Sequence, residues 1–296
     1  MGRTRLRGLS IAGIQIGIEV PEPCEWAWPE SEVADYVCLP REPEIHVGLR
    51  IGALPPGELG GERHVLGAAT FEIARRGTDW LIGLSRSGRP RQIAHFDREF
   101  RIGEIVQDPE WARERRYPLA GGLDEWLVLQ RTIARGGLCV TGRALPTAGG
   151  AAIRVGAVAS ADSRGWRVAT PTLLGRETLV LREEGGALRV HRTPWCGAMD
   201  ESLGRDARVV EFETEDPALT PFREVVDPGE AAELLVAHAV LPLTDERFLN
   251  RVLGNASRLA ARSRLVRLGV TGDAAAAPAR APRSLPSVLT TLGLFA

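Results

Sequence analysis

Over residues 6–100 the apolar side chains come in short runs, repeatedly cut off by Gly, Pro and charged clusters, as at residues 45–51, 64–73 and 80–84. Runs of this kind build strands, because a strand needs only a few apolar positions between turns. The first third of the chain is therefore read as a β-rich domain, 1–105. At 296 residues and 44% hydrophobic the chain has the material for about two cored domains. The charged passage Gln107-Asp-Pro-Glu-Trp-Ala-Arg-Glu-Arg-Arg-Tyr117 is read as the junction, 106–117, with a single exposed helix as the other reading.

Helical spacing then takes over. Leu123, Trp126, Leu127, Gln130 and Ile133 recur on one face, and Gly136-Gly137 stops the helix ahead of a strand at 138–140. Residues 178–182 and 188–192 flank Glu183-Glu-Gly-Gly186, which predicts a hairpin, and 208–213 alternates like another strand. Asp227-Pro-Gly-Glu230 combines an N-cap, a first-turn Pro and an acidic third position, so a helix is expected over 228–240. A second helix over 245–262 would carry Phe248, Val252 and Leu259 on its apolar face. The second domain is placed at 118–270.

After residue 270 the composition shifts to Ala, Pro and Arg, which cannot bury a core. The stretch 271–296 is read as a mobile tether ending in an apolar peptide, with Leu285, Val288, Leu289 and Leu292 at helix-face spacing and Phe295 beyond. Such a peptide either docks on another protein or folds back on its own domain.

The chain contains no lysine: all 37 of its basic side chains are Arg. Codon usage in a GC-rich genome is the simplest cause. The chemical consequence is independent of cause, since a P-loop Lys, a Schiff-base Lys and a Lys general base are all excluded. Net charge is −1, so no nucleic acid partner is expected. The basic start leads into an interrupted apolar run that reads as a strand, not a signal peptide. No stretch approaches the ~18 apolar residues of a membrane span, and a cytoplasmic location is expected. Cys24, Cys38, Cys139 and Cys196 show no C-x-x-C spacing, and His46, His64, His95, His191 and His238 are scattered, so no metal site is expected. Trp26 and Trp28 among prolines read as an aromatic surface patch or as core filling.

From about residue 91 to 270 the order of features resembles the HPr kinase/phosphatase-like proteins, in the bacterial HPr-kinase-related branch with a β-rich N-terminal region. The residues that carry the resemblance are His95-Phe-Asp-Arg-Glu-Phe100, Tyr117-Pro-Leu leading to Asp124-Glu-Trp-Leu127, and Arg135-Gly-Gly-Leu-Cys-Val140. They continue through Leu179-Val-Leu-Arg182, Glu184-Gly-Gly186, Thr193-Pro194-Trp195 and Leu241-Pro-Leu-Thr-Asp245. The resemblance implies an α/β (α+β) chain: a β-rich N-terminal domain, then a P-loop-type core with a mixed sheet flanked by helices.

That family carries a loop of the form G-x-S-G-x-G-K-S/T, whose backbone N–H groups and Lys hold phosphates while its hydroxyl binds Mg²⁺. Here the matching text, Ile153-Arg-Val-Gly156-Ala-Val-Ala-Ser-Ala161-Asp162-Ser163, keeps Gly156 and Ser163 but has Ala161 for the last Gly and Asp162 for the Lys. A carboxylate ~4 Å from a phosphate charge costs ~4 kcal/mol at an effective dielectric of ~20. The family's His is replaced by Thr141, and its paired acidic residues become Arg176-Glu177.

With three chemical stations altered together, the expectation is a non-catalytic pseudokinase without a cofactor, acting as a protein-binding or assembly scaffold. Self-association, or pairing with an active relative, is what the resemblance implies about partners. The alternative is an atypical ATP-dependent kinase acting on a protein, peptide or small hydroxyl compound, with Arg154 or Arg164 as cation and Glu177 as base. A third reading has the old cleft binding a small molecule or peptide, where Asp162 favours a cationic ligand. Thr193, Pro194 and Trp195 are cleft candidates, although Trp195 also reads as packing and His191 as an ordinary lone His.

Overall fold

The computed structural model describes residues 4–22, 24, 26, 33–54, 59–66, 69–86, 88–114, 117–119, 122–155, 178–195, 201–204, 206–217, 222–240 and 246–270. These residues form a mixed α/β chain in which strands far outnumber helices, organised around one large sheet and one β-barrel. They fall into two compact units, divided between Arg131 and Thr132.

The first unit is built on nine strands: β1 (Thr4–Ile11), β2 (Ile14–Pro21), β3 (Val37–Cys38), β4 (Ile45–Ile51), β5 (Glu62–Leu66), β6 (Ala69–Arg76), β7 (Asp79–Arg86), β8 (Arg89–Phe96) and β9 (Ile102–Gln107). Their order in the sheet is β3-β1-β2-β4-β9-β8-β7-β6-β5. Pairing is antiparallel except at β2–β4 and β4–β9. Period-2 alternation explains the burial. Ile14, Ile16, Ile18 and Val20 are buried on β2, Ile45, Val47 and Leu49 on β4, and Trp80, Ile82 and Leu84 on β7. Registers such as Ile16↔Ile45 and Ile82↔Ala94 set these side chains beside one another. One rung in this apolar face is polar, Gln92↔Gln107, where Gln107 Nε2–H donates to Gln92 Oε1 at 3.3 Å.

The motif His95-Phe-Asp-Arg-Glu-Phe100 is the β8–β9 turn. Asp97 Oδ1 accepts the N–H groups of Arg101 (2.6 Å) and Ile102 (3.0 Å). Phe100 sits at φ 54, a strained value for a bulky residue, and its ring lies 5.5 Å from Trp80 and 5.9 Å from both Phe96 and Trp126. The packing of four aromatic rings holds the turn. Trp26 is core filling, not a surface patch: it is buried, with the Arg7 guanidinium 4.6 Å over its ring. Trp28 lies outside the described residues.

The passage expected to be a junction is integrated into this first unit. Helix α1 (Pro109–Arg113) is capped by the Asp108 carboxylate, which accepts from Glu110 N and Trp111 N. Trp111 is buried between the guanidiniums of Arg86 and Arg91, and Arg91 bonds Asp108 and Glu110. A run that reads as solvated charge thus hides a capped turn and one aromatic anchor. The division falls later, inside helix α2 (Leu123–Ala134).

The second unit contains β10 (Leu138–Thr147), β11 (Gly150–Val155), β12 (Thr178–Glu184), β13 (Ala187–His191), β14 (Asp206–Pro217), β15 (Phe222–Val226) and β16 (Arg264–Val270). The order β11-β10-β12-β13-β14 is joined end to end by parallel β11–β14 pairing, which closes the barrel, while β16 and β15 extend the sheet from β14. Leu138, Val140, Ile153, Leu179, Leu181, Val190 and Phe212 belong to its fully buried core. Helices α3 (Pro228–Ala237) and α4 (Glu246–Arg262) pack together. Asp227 caps α3 as its sequence predicts. The helix stops at Ala237, ahead of the expected 240, because the next residues pair with a strand: Thr141 N–H donates to His238 O, Val240 N–H donates to Cys139 O, and Val140 bridges Ala239.

The tail 271–296, including Leu285, Val288, Leu289, Leu292 and Phe295, lies outside the described residues. No described helix is long and apolar enough to cross a membrane.

Candidate functional site

Of the altered stations of the sequence, Thr141 lies on β10. Thr141 pairs with Thr178, the residue that follows Arg176-Glu177, and the neighbouring Gly142 pairs with Val155, the residue before Gly156. Gly156, Ala161, Asp162, Ser163, Arg164, Arg176 and Glu177 themselves lie outside the described residues. Their chain neighbours nevertheless flank Thr141 on adjacent rungs. A Cβ on Gly142 would come within 2.5 Å of Arg154 O, so the close β10–β11 approach at this point requires glycine.

From Thr178 a polar stripe runs along the β12–β13 hairpin. The registers Val180↔His191, Arg182↔Arg189 and Glu184↔Ala187 put Thr178, Arg182, Glu184, Arg189 and His191 on one face. The hairpin closes through Gly185 (φ 58) and Gly186 (φ 78), the two left-handed residues a tight two-residue turn demands. Thr178, Arg182, His191 and Thr193 are all buried, with His191 only 4% exposed.

Glu184 Oε1 stands 3.5 Å from both Arg182 Nη2 and His191 Nε2, near enough for electrostatic attraction, while His191 Nε2 itself makes no hydrogen bond. Burial pushes the His191 pKa below its ordinary value, Arg182 and Arg189 push the same way, and Glu184 and Asp206 oppose them. At neutral pH His191 is therefore an uncharged imidazole, able to accept or donate one hydrogen bond. At the end of the stripe Arg189 and Asp206 pair at 2.7 Å.

The sequence-predicted cleft residues follow directly. Thr193 and Pro194 are buried and Trp195 is half-buried as the chain leaves β13. Arg154, one of two cations considered for a substitute phosphate grip, is held by Glu213 through Nε (3.2 Å) and Nη2 (2.9 Å). Among the described residues no group of three or more His, Cys, Asp or Glu side chains could hold a metal ion.

Sequence reasoning read His191 as an ordinary lone His and gave Arg182 and Glu184 no role beyond the resemblance. The available signal was Thr178, Arg182 and Glu184 at even spacing along a strand whose other face begins with Leu179 and Leu181. The chain matches no protein-family model, and no curated protein is found similar to it.

Proposed function

We propose that this chain is a non-catalytic HPr-kinase-like module that works by binding or assembling with other proteins. The observation that carries the reading is the meeting at Thr141: the His replacement, the strand entering the degenerate loop and the strand leaving the Arg176-Glu177 pair share adjacent rungs. The three altered positions fall within 37 residues of sequence, 141 to 177, and the strands leading into and out of the two undescribed ones both pair with β10 beside Thr141. The lack of any lysine supports the same reading, because the loop of that family uses a Lys on the phosphates and no Lys is present to fill that role.

The atypical-kinase alternative has less support. Its described cation, Arg154, is already committed to Glu213. A guanidinium so held would have to break two charge-assisted bonds to Glu213 Oε2 to reach a phosphate.

Calorimetric titration of the full chain with Mg-ATP at physiological salt tests the proposal. No heat and no thermal stabilisation at millimolar nucleotide are expected; micromolar binding would overturn it. Asp162→Lys combined with Ala161→Gly restores the loop pattern, and recovered nucleotide binding would verify the assignment of Gly156 to Ser163.

A further inference from the structure

A second feature of the barrel unit stands apart from Thr141. Strand β14 pairs antiparallel with β13 at Arg189↔Arg208 and parallel with β11 at the next residue, Ala151↔Val209, with a register shift between Ala151 and Ala152. Antiparallel and parallel ladders space their hydrogen bonds differently, so a ladder that changes type within one residue is interrupted there.

A cleft of about 300 Å³ opens at this interruption. Its apolar wall includes Leu188, Val209 and Leu259, and its charged residues are Glu183, Arg208 and Arg262. Arg262, in the last turn of α4, is paired with Glu183. Arg208 has no carboxylate partner among the described residues, so the lining carries one uncompensated guanidinium.

We propose that this cleft binds a small organic anion, with Arg208 gripping a carboxylate or phosphate ester and the apolar wall holding a short hydrocarbon body. The volume suits such a ligand, lying at the small end of ligand pockets, and the lining combines apolar side chains with a larger polar surface that suits a charged head group. A guanidinium matches either oxyanion through two parallel N–H donors. The Arg262–Glu183 pair contributes no net charge and forms one side of the cleft. The inference stands whether or not the remnant loop binds nucleotide, because it involves none of those residues.

The test is calorimetry on the full chain with hexanoate and phenyl phosphate as probes and inorganic phosphate as the head-group control. At least one organic probe is expected to bind, and the tighter of the two identifies the head group. Arg208→Gln should weaken that binding about tenfold or more, the loss of one charge-assisted contact, while leaving the unfolding temperature unchanged because Arg208 is exposed. Ala187→Trp, which fills the cleft, should abolish it. Absence of binding by both organic probes at millimolar concentration would overturn the proposal. So would unchanged affinity in Arg208→Gln, or inorganic phosphate binding as tightly as phenyl phosphate.

Discussion

Asn255 is expected to be among the most costly single positions in the barrel unit. Its side chain is only 6% exposed and its amide donates to two carbonyls, Ile133 O and Gly137 O, each at 2.9 Å. These close the C-terminal end of α2, where Gly136 sits at φ 83 and Arg258 adds a bond to Gly136 O. Asn255→Ala removes both donors. Ile133 O keeps the Gly136 N–H at 3.0 Å, so only a net hydrogen bond of about 1 kcal/mol is lost there. Gly137 O precedes the β10 ladder, which starts at Leu138, and its orphaning adds a desolvation cost of roughly 1–2 kcal/mol to another bond of about 1.

The total is about 3 kcal/mol, which for a unit of this size lowers Tm by roughly 10 °C. Differential scanning calorimetry of the full chain, with urea denaturation alongside, measures it. Asn255→Asp should cost more, since a carboxylate would face two carbonyl oxygens, offset only in part by Arg258 Nη2 at 3.3 Å from Oδ1. A loss under about 0.5 kcal/mol for Asn255→Ala would refute the idea that this amide caps the helix.

Stability should fall on mild acidification. Burial lowers the pKa values of His191 and His238 from 6.5, so the unfolded chain takes up protons first, and the stability present above about pH 6.5 is lost as pH falls towards the folded-state values. The urea midpoint should be lower at about pH 5.5 than at about pH 7.5, and His191→Asn should shrink that difference; an unaltered difference refutes the assignment. Gly103→Ala puts a Cβ 2.3 Å from the ring of Phe96, whose neighbours Phe100 and Trp80 hold it in place, so a loss of about 1–3 kcal/mol is expected by denaturation. Removing the residues after Gly272 should abolish co-purification of a bound protein partner and leave the unfolding profile intact; a partner retained by the truncated chain would dismiss the tail as a docking element.

What the sequence made legible was local. Short apolar runs located β4 and β7, although the run 64–73 covers parts of both β5 and β6 and the N-terminal run read as one strand is β1 and β2; the Glu183-Glu-Gly-Gly186 text located a hairpin whose turn is Gly185-Gly186, and Asp227-Pro-Gly-Glu230 located α3 to its first residue. What escaped depends on partners distant in sequence. Closure of the barrel rests on Arg154 meeting Glu213 across a parallel ladder, a pairing no local pattern encodes. The end of α3 is set by β10, whose Thr141 N–H donates to His238 O. Asn255 reads as a mid-helix polar residue, and only the carbonyls it reaches, 118 and 122 positions away, reveal its role. At the candidate site His191 was visible as a letter, whereas its neighbouring carboxylate became visible only once β12 and β13 were paired.

Helix α2 has a consequence for how this chain can be inherited. Its first turns carry Trp126 against the rings of Trp80 and Phe100, and its last residues end under the amide of Asn255. A gene fragment stopping at Arg131 would encode a helix stripped of its terminus, and one beginning at Thr132 would lack the turns needed to start it. Recombination could not exchange either half for a foreign partner without destroying a shared element. The two units should therefore travel through evolution as a single cassette, duplicated or lost together.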